Sequence, residues 1–358
     1  MYQNIIYLIE NCIFLDQPKF TFIDLVLPDD ETIIGAMLNS NHKNWIIVVP
    51  GGLNGSHCSP YCREIAQLSS DYNILIVNHR GCHIPMTKQK ITLHWDIDTI
   101  ESGIRYININ HKPHFIFLLG ISMGSMMITH YLQNPHPKVK GAIMFAHYFN
   151  LKNHTHSVQS SPWLHRYALM GCKDLYNIAS RTTDNEVNLD KNIKITSLSQ
   201  AIKDLILPYR DMTYEEYLSI DTKDLIDSVS IPCCYVNSTD DPLSKQTILK
   251  QYASNNSNIT YKQTSYGGHL GWHIGFLTKT SHTFFKEITK EKNPNYVKPP
   301  SDKYFKNFII KKNTKNLNYL KNILLHAKYH LESIVKVPHK SKYLQLCLVN
   351  FTLVYFYL

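Results

Sequence analysis

The sequence lacks the features that mark a disulfide-stapled, zinc-ribbon or disordered protein. Its 358 residues include 8 cysteines, but these are scattered and none forms a C-x-x-C pair. That spacing argues against a zinc ribbon or a disulfide framework and fits a reducing compartment. Because 44% of the residues are hydrophobic and only 18% are charged, the chain can bury a large core of its own. We therefore expect a globular protein that needs no structural metal.

Positive charge is concentrated towards the carboxyl end of the chain. The formal net charge is +9, but residues 286–342 hold 14 lysines and 4 acidic residues, a net +10 that leaves −1 for the rest. A nearly neutral body with a basic tail does not resemble a nucleic-acid-binding domain, and no nucleic-acid motif accompanies the lysines. The sequence therefore predicts no nucleic-acid partner.

Neither end of the chain resembles a signal peptide or a full membrane span. Residues 1–15 have no basic start and are interrupted by Glu10 and Asn11, so we predict no signal peptide and a cytoplasmic protein. Residues 343–358 are uncharged. As a helix they would span only about 24 Å, short of the roughly 30 Å hydrocarbon core. Together with the lysines before them, they predict a tail that associates with an anionic membrane surface from the cytoplasmic side.

An apolar stripe in this tail supports the membrane prediction but has a second explanation. Apolar residues recur at spacings of three and four, at positions 317, 320, 324, 327, 331 and 334. Such a stripe fits a helix lying on a lipid surface. An amphipathic helix packs on its own domain at least as often, so both alternatives stay open.

Short hydrophobic runs alternate with helical patterns through most of the chain. Two extended runs, residues 20–27 and Thr32–Leu38, predict an antiparallel hairpin. Later runs lack clean alternation, as expected of strands buried on both faces of a parallel sheet: residues 45–49, 74–77, 115–119, 142–145 and 233–236. Helical patterns lie between them, at residues 98–109, 122–132 and 247–252. The order predicts an α/β protein with a mostly parallel central sheet and helices on both faces.

We expect one domain over residues 1–293 with a helical insertion. Residues 148–228, called the cap below, interrupt the alternation of strand and helix, and we predict that they lie over the active edge of the sheet. Trp163 and Met170 in the cap are candidates for contact with an acyl chain, although packing of the cap on the body explains them equally well. Pro299-Pro300 marks the end of the compact domain, so residues 294–358 are predicted to form a basic extension with an apolar end.

The strongest chemical signal is Gly120-Ile121-Ser122-Met123-Gly124. It follows an apolar run and opens a helical pattern, which is the strand–turn–helix context of a nucleophile elbow. The turn is so tight that side chains two residues either side of Ser122 would collide with the strand or helix, hence the two glycines. The motif predicts that Ser122 is a catalytic nucleophile.

A nucleophilic serine needs a histidine base and a carboxylate that orients the imidazole. The strand at 233–236 is followed by Asp240 and Asp241, and the next strand by His269 within a glycine-rich loop. The order Ser122, Asp241, His269 fits the requirement. Asp240 remains an alternative acid. We favour Asp241 because the acid in such loops usually stands immediately before the start of the next helix.

Acyl transfer also needs two backbone N–H groups aimed at the developing oxyanion. Met123, directly after the nucleophile, is the first candidate donor. The second is Leu53, in the glycine-rich loop after the first parallel strand. That loop has neither G-x-G-x-x-G nor G-K-[ST] spacing, so we predict no nucleotide site. The chemistry requires no cofactor and no metal.

Five motifs in order resemble the AB-hydrolase-4 family, which includes bacterial YheT-type esterases and animal abhydrolase-domain lipid hydrolases. They are Gly52-Leu53-Asn54-Gly55-Ser56, Asn78-His79-Arg80-Gly81-Cys82, the Ser122 elbow, Asp240-Asp241-Pro242 and Gly267-Gly268-His269-Leu270-Gly271. The resemblance covers residues 20–290 and implies the α/β-hydrolase fold, a Ser122–Asp241–His269 triad, and hydrolysis of acyl esters, with glycerolipids or phospholipids as the substrates of animal members. Gly51 departs from the pattern, because bacterial members often have His there.

The favoured function is thus a serine hydrolase that cleaves carboxylic, lipid-type esters through an acyl-enzyme intermediate. Two alternatives remain open. A catalytically idle hydrolase fold would serve as a ligand-binding or interaction protein, but such folds usually lose a triad member. An acyltransferase would use the same triad and would have to exclude water.

Overall fold

The computed structural model describes residues 18–52, 56–87, 90–179, 195–244, 256–273 and 275–290. All of them belong to one unit of the chain, Met1–Lys292. The predictions for residues 1–15, for the helix at 247–252 and for the tail at 294–358 lie outside the described residues.

Eight strands in the described part of the chain form a single sheet. They are β1 (Thr21–Val26), β2 (Thr32–Leu38), β3 (Asn44–Val49), β4 (Asn73–Val77), β5 (Phe115–Ile121), β6 (Val139–Phe145), β7 (Cys233–Ser238) and β8 (Ile259–Thr264). Their order across the sheet is β1-β2-β4-β3-β5-β6-β7-β8. The first two strands form the antiparallel hairpin and β2 pairs antiparallel with β4, whereas all later pairs are parallel.

Helices cover both faces of this sheet. The helices flanking the strands are α1 (Pro60–Ala66), α2 (Asp98–His111), α3 (Met123–Tyr131) and, after β8, α9 (Phe276–Lys290). On β3, Ile47 packs in the cluster that contains residues of α2 and α3. The adjacent Ile46 packs in the cluster that contains residues of α1 and α9. Successive residues of a strand point to opposite faces, so the unbroken apolar run of β3 serves two cores at once.

The segment between β6 and β7 is mostly helical. Near its two ends, Asn150 and Asp221 form an isolated antiparallel β-bridge. Its helices are α4 (Leu151–Ser160), α5 (Pro162–Ala179), α6 (Leu198–Ala201), α7 (Tyr214–Ser219) and α8 (Lys223–Ile226), with a π-helical turn at Ile202–Ile206 and a 3₁₀ turn at Leu207–Tyr209. Residues 180–194, which include the polar interruption of the cap, lie outside the described residues.

The α/β fold class predicted from the sequence is confirmed. Several boundaries differ: β6 begins at Val139 rather than at residue 142, and at the elbow the helix expected from residue 122 begins at Met123. The reason is that Ser122 has φ 52° and ψ −115°, which is not a helical conformation.

Candidate active site

Ser122 occupies a sharp turn between β5 and α3. Its positive φ of 52° is a strained conformation for a residue with a side chain. The backbone N–H of Ser122 donates to the carbonyl of Phe145 at the end of β6, at 2.9 Å, which holds the turn against the neighbouring strand. A Cβ atom at Gly124 would lie 2.1 Å from the carbonyl oxygen of Val49, so only glycine lets α3 approach β3 this closely. The elbow therefore presents Ser122 at the carboxyl edge of the sheet.

The structure brings Ser122, His269 and Asp241 into one hydrogen-bonded line. The Oγ of Ser122 lies 2.8 Å from Nε2 of His269. On the other side of the ring, Nδ1 of His269 lies 3.0 Å from Oδ2 of Asp241. The Asp241 side chain is fully buried, whereas that of His269 keeps 13% of its surface exposed. A buried carboxylate thus fixes an imidazole whose other nitrogen faces the serine hydroxyl.

Asp241 is held as an anion despite its burial. Burial alone raises the pKa of a carboxyl group, but His269 and hydrogen bonds that include the Leu243 N–H lower it more, so the pKa of Asp241 lies below its usual value. The Leu243 N–H donates to Asp241 Oδ1 at 2.8 Å. An ionised carboxylate at this position stabilises positive charge on the neighbouring ring.

The adjacent Asp240 has a different environment. It is solvent-exposed, and its Oδ1 accepts hydrogen bonds from the Ser238 hydroxyl and, at 2.7 Å, from the N–H of Gly268. Asp240 therefore contacts the loop that carries His269 through the backbone, while Asp241 contacts the imidazole itself.

The glycine-rich loop after β3 is held beside the elbow by two side chains. The N–H of Gly51 donates to the Tyr61 hydroxyl at 2.8 Å. His79 Nε2 lies 3.1 Å from the Pro50 carbonyl and 2.9 Å from that of Gly51, so this nitrogen carries the proton. A Cβ atom at Gly52 would lie 3.3 Å from Sδ of Met123, which shows how closely the loop approaches the residue after Ser122.

Of the two oxyanion donors expected from the sequence, Met123 is described and Leu53 is not. Met123 is the first residue of α3, and the first N–H groups of a helix have no partner within it. Leu53 lies outside the described residues.

A buried polar chain runs from the elbow to the end of the cap. The Ser125 hydroxyl donates to the Ser122 carbonyl, and the same oxygen lies 2.9 Å from Nδ1 of His147. The Nε2 of His147 lies 3.1 Å from the hydroxyl of Thr222. Burial lowers the pKa of His147 to about 3, so the ring is neutral near pH 7. Sequence spacing does not predict this series of hydrogen bonds, because the residues that form it come from three separate segments.

The cap contacts the acid loop through apolar residues. Val158, Leu164 and Ala168 form a buried cluster, and Leu243, two residues after Asp241, packs against it. The candidate acyl-contact residues Trp163 and Met170 lie on α5, but their side chains are outside the described residues. They stay candidates.

A cluster with metal-ligand chemistry also occurs among the described residues. His57, Cys58 and His83 place one potential ligand atom each within 4.8 Å of the others. The prediction that no metal is needed depends on the spacing of cysteines along the sequence. That spacing does not reveal this cluster, because its three residues come from two separate loops.

With the geometry established, comparison with known proteins identifies the class. A model of the alpha/beta hydrolase fold matches residues 44–273. The chain belongs to this family, and its relatives are abhydrolase-domain proteins, which confirms the resemblance seen in its motifs.

The curated relatives are distant in sequence. Abhydrolase domain-containing protein 2 of Drosophila melanogaster is 23% identical over 267 residues, 66% of each chain. Phospholipase ABHD3 of Bos taurus is 24% identical over 266 residues, 71% of this chain and 64% of the relative. The human protein of the same name is 24% identical over 268 residues, with the same coverage. The chain thus spans just under two thirds of the length of these relatives.

Solved structures share the fold. The esterase Pf2001 of Pyrococcus furiosus superposes with a TM-score of 0.54 at 14% identity, covering 76% of this chain and 91% of that one. A membrane phospholipase A described as a bacterial virulence factor gives 0.52 at 11% identity, covering 75% and 87%. Within the described residues, no helix has the length and apolar character needed to cross a membrane.

Proposed function

We propose that the protein is a serine hydrolase of carboxylic esters. Ser122 Oγ attacks the ester carbonyl carbon while His269 Nε2 takes the hydroxyl proton. The tetrahedral intermediate collapses, the carbon–oxygen bond to the leaving alcohol breaks, and His269 returns the proton to that oxygen. Water then attacks the acyl-enzyme, again with His269 as the base, and releases the acid and free Ser122. The ionised Asp241 holds the ring and stabilises its positive charge.

The developing oxyanion would be bound by backbone N–H groups, with Met123 and Leu53 as the proposed donors. The position of Met123 at the start of α3 supports the first assignment. The close approach of Gly52 to Met123 supports a donor from the glycine-rich loop. Tyr61 and His79 would act as positioning residues, because they bind the backbone of that loop.

One observation carries the proposal: the unbroken hydrogen-bonded line from Ser122 through His269 to Asp241. A serine with a base at 2.8 Å, on a strained turn, can be activated for attack. A catalytically idle hydrolase fold does not require this arrangement, so the arrangement favours an enzyme.

We propose lipid acyl esters as the substrate class. The names of relatives that include phospholipases support this choice. The cap supplies an apolar segment beside the acid loop, with Leu164 and Leu243 in one cluster, and Trp163 and Met170 on α5 remain the proposed acyl contacts. Phosphatidylcholine vesicles and p-nitrophenyl esters are the natural test substrates.

The decisive experiment is labelling of the full chain with a fluorophosphonate probe, together with ester hydrolysis. Wild type should be labelled at Ser122, and Ser122→Ala should lose the label and at least about 10⁴-fold in hydrolysis rate. Ser70→Ala, at an exposed serine after α1, is the matched control and should behave as wild type. Absence of labelling in a folded wild-type protein would favour the idle binding protein. Hydrolysis retained by Ser122→Ala would exclude Ser122 as the nucleophile.

We also propose that residues 294–358 associate with an anionic lipid surface. The support is the charge of the sequence: residues 286–342 carry a net +10, and residues 343–358 are uncharged. Each lysine near such a surface contributes about 1 kcal/mol, an attraction that salt screens. Liposome co-sedimentation of the full chain should therefore exceed that of a chain ending at Pro300 and should weaken in high salt. Equal pelleting of both would remove the tail from membrane binding.

A further inference from the structure

Two loops at the carboxyl edge of the sheet bring together imidazole and thiol groups that the proposed hydrolysis does not use. His57 and Cys58 lie between β3 and α1, and His83 follows β4. β3 and β4 are parallel neighbours in the sheet, so the loops that follow them lie side by side. The cluster therefore depends on the fold rather than on spacing within one motif.

The distances in this cluster match those of a tetrahedral metal site. Cys58 Sγ lies 3.4 Å from Nε2 of His57 and 3.9 Å from Nε2 of His83. Zinc–sulfur and zinc–nitrogen bonds of about 2.3 and 2.05 Å at a tetrahedral angle place the two ligand atoms about 3.6 Å apart. These two sulfur–nitrogen separations bracket that value, and all three ligand atoms lie within 4.8 Å of one another.

His57 also has the kind of outer partner that metal-ligating histidines have. Its Nδ1 lies 3.3 Å from Oδ1 of the fully buried Asn78, and the same oxygen accepts the backbone N–H of His57 at 2.8 Å. The Asn78 amide nitrogen is at 3.2 Å from Nδ1, so the contact suits either tautomer. In the tautomer with the proton on Nδ1, that proton is donated to Asn78 and the lone pair of Nε2 points to the cluster.

The second histidine is held over the first by its backbone and by aromatic neighbours. His83 has φ 76°, a conformation unusual for a non-glycine residue. Its ring stacks on that of His57 with centroids 4.4 Å apart. Phe20 and Phe22 pack edge-on against His57, with centroids at 5.4 and 5.0 Å. Non-glycine residues with such backbone conformations cluster at active sites and ligand-binding sites.

We propose that His57, Cys58 and His83 bind one Zn²⁺ ion, through Nε2, Sγ and Nε2, with a water molecule as the fourth ligand. A thiolate and two imidazoles are ligands that zinc prefers, and three protein ligands leave one open position. Binding displaces the thiol proton of Cys58 to solvent, and no electron is transferred.

The proposed zinc site would link the loop after β3, which contains the glycine-rich turn, to the loop after β4, which binds that turn. The loop after β3 contains Gly51 and continues to His57, whereas the loop after β4 contains His79, which binds the Pro50 and Gly51 carbonyls, and His83. Metal binding at the cluster is independent of whether the protein hydrolyses esters, so its test does not rely on activity.

The test is titration of the metal-free full chain with Co²⁺, whose spectrum reports both thiolate ligation and tetrahedral geometry. We expect a thiolate-to-cobalt charge-transfer band that saturates at one equivalent and is displaced by Zn²⁺. Cys58→Ser should abolish the band, and His83→Gln should weaken binding at least about tenfold. His114→Gln, at an exposed histidine before β5, is the matched control and should leave the spectrum unchanged.

A second measurement needs no substitution. Cys58 is partly exposed, whereas Cys62 and Cys82 are buried. Alkylation of Cys58 in the wild-type chain, followed by peptide mass spectrometry, should slow at least about tenfold with saturating Zn²⁺ because the bound thiolate is no longer free. An unchanged alkylation rate, or the same cobalt spectrum in wild type and Cys58→Ser, would overturn the proposal.

Discussion

The catalytic line at the carboxyl edge of the sheet and the contact between the cap and the acid loop depend on different kinds of interaction. At the edge, Ser122, His269 and Asp241 are joined by directional hydrogen bonds between loops that follow separate strands. The contact between the cap and the acid loop is instead apolar, because Leu243 packs against Val158, Leu164 and Ala168. Hydrogen bonds fix atoms to within tenths of an ångström, whereas apolar packing is non-directional and tolerates a change of shape. Substitutions at the edge should therefore change rates, and those in the cap should change substrate preference.

The largest expected effect distinguishes the two adjacent carboxylates of the acid loop, Asp240 and Asp241. Asp241→Asn should lower kcat by about 10³–10⁴-fold, because the imidazole loses the anion that orients it and stabilises its charge. Asp240→Asn should stay within about tenfold of wild type, because Asp240 binds the backbone of Gly268 rather than the ring. Steady-state kinetics on one p-nitrophenyl ester measure both. A greater loss in Asp240→Asn would exchange the two assignments.

The border between edge and cap should be sensitive to acid. Burial lowers the pKa of His147 to about 3, with His130 nearby as a further cause, whereas an unfolded histidine has a pKa of about 6.5. Between these values the unfolded chain binds more protons, so His147 makes stability fall as the pH drops below about 6.5, by about 1.4 kcal/mol per pH unit. Chemical denaturation from pH 7 to 5 should show this slope, and His147→Gln should reduce it.

His94 and His154 should contribute to the same acid sensitivity. Burial lowers the pKa of His94 to about 3 and that of His154 to about 4, and both rings contact Tyr148 at the start of the cap. His114→Gln changes an exposed histidine and should leave the slope as in wild type. A His147→Gln slope equal to that of wild type would show that the ring does not titrate on unfolding.

A smaller effect should follow from loosening the glycine-rich loop. Tyr61→Phe removes the hydroxyl that accepts the Gly51 N–H and should lower kcat about 5–10-fold with little change in KM, because one hydrogen bond contributes about 1 kcal/mol. The control is Tyr131→Phe, which removes a hydroxyl that accepts the His136 N–H at the same 2.8 Å distance after α3. Equal losses in the two variants would assign the effect to general stability.

The sequence predicts the buried strands and the elbow, but not the contacts between loops that follow different strands, for physical reasons. Strands buried on both faces must be apolar throughout, so runs such as β3 and β5 are recognisable, and the elbow requires glycine on both sides of Ser122. The His57–Cys58–His83 cluster is not predictable in this way, because it depends on β4 lying beside β3. The same holds for Ser125 and His147, whose contact depends on β6 lying next to β5.

The smallest expected effect lies in the cap and concerns preference alone. If the acyl chain lies along α5, Trp163→Ala and Met170→Ala remove apolar contacts with its distal methylenes, each of which contributes about 0.8 kcal/mol when buried. The ratio of kcat/KM for long-chain to short-chain p-nitrophenyl esters should then fall about 3–10-fold, while hydrolysis of the acetate ester stays near wild type because Ser122, His269 and Asp241 are unchanged. Ile109→Ala, at an apolar residue of α2 that is 71% exposed, is the control for general loss of apolar surface.

An unchanged chain-length profile in both cap variants would limit Trp163 and Met170 to packing. An acetate rate that falls as far as the long-chain rate would show that the cap also fixes the reacting atoms, and the contrast between edge and cap would be wrong.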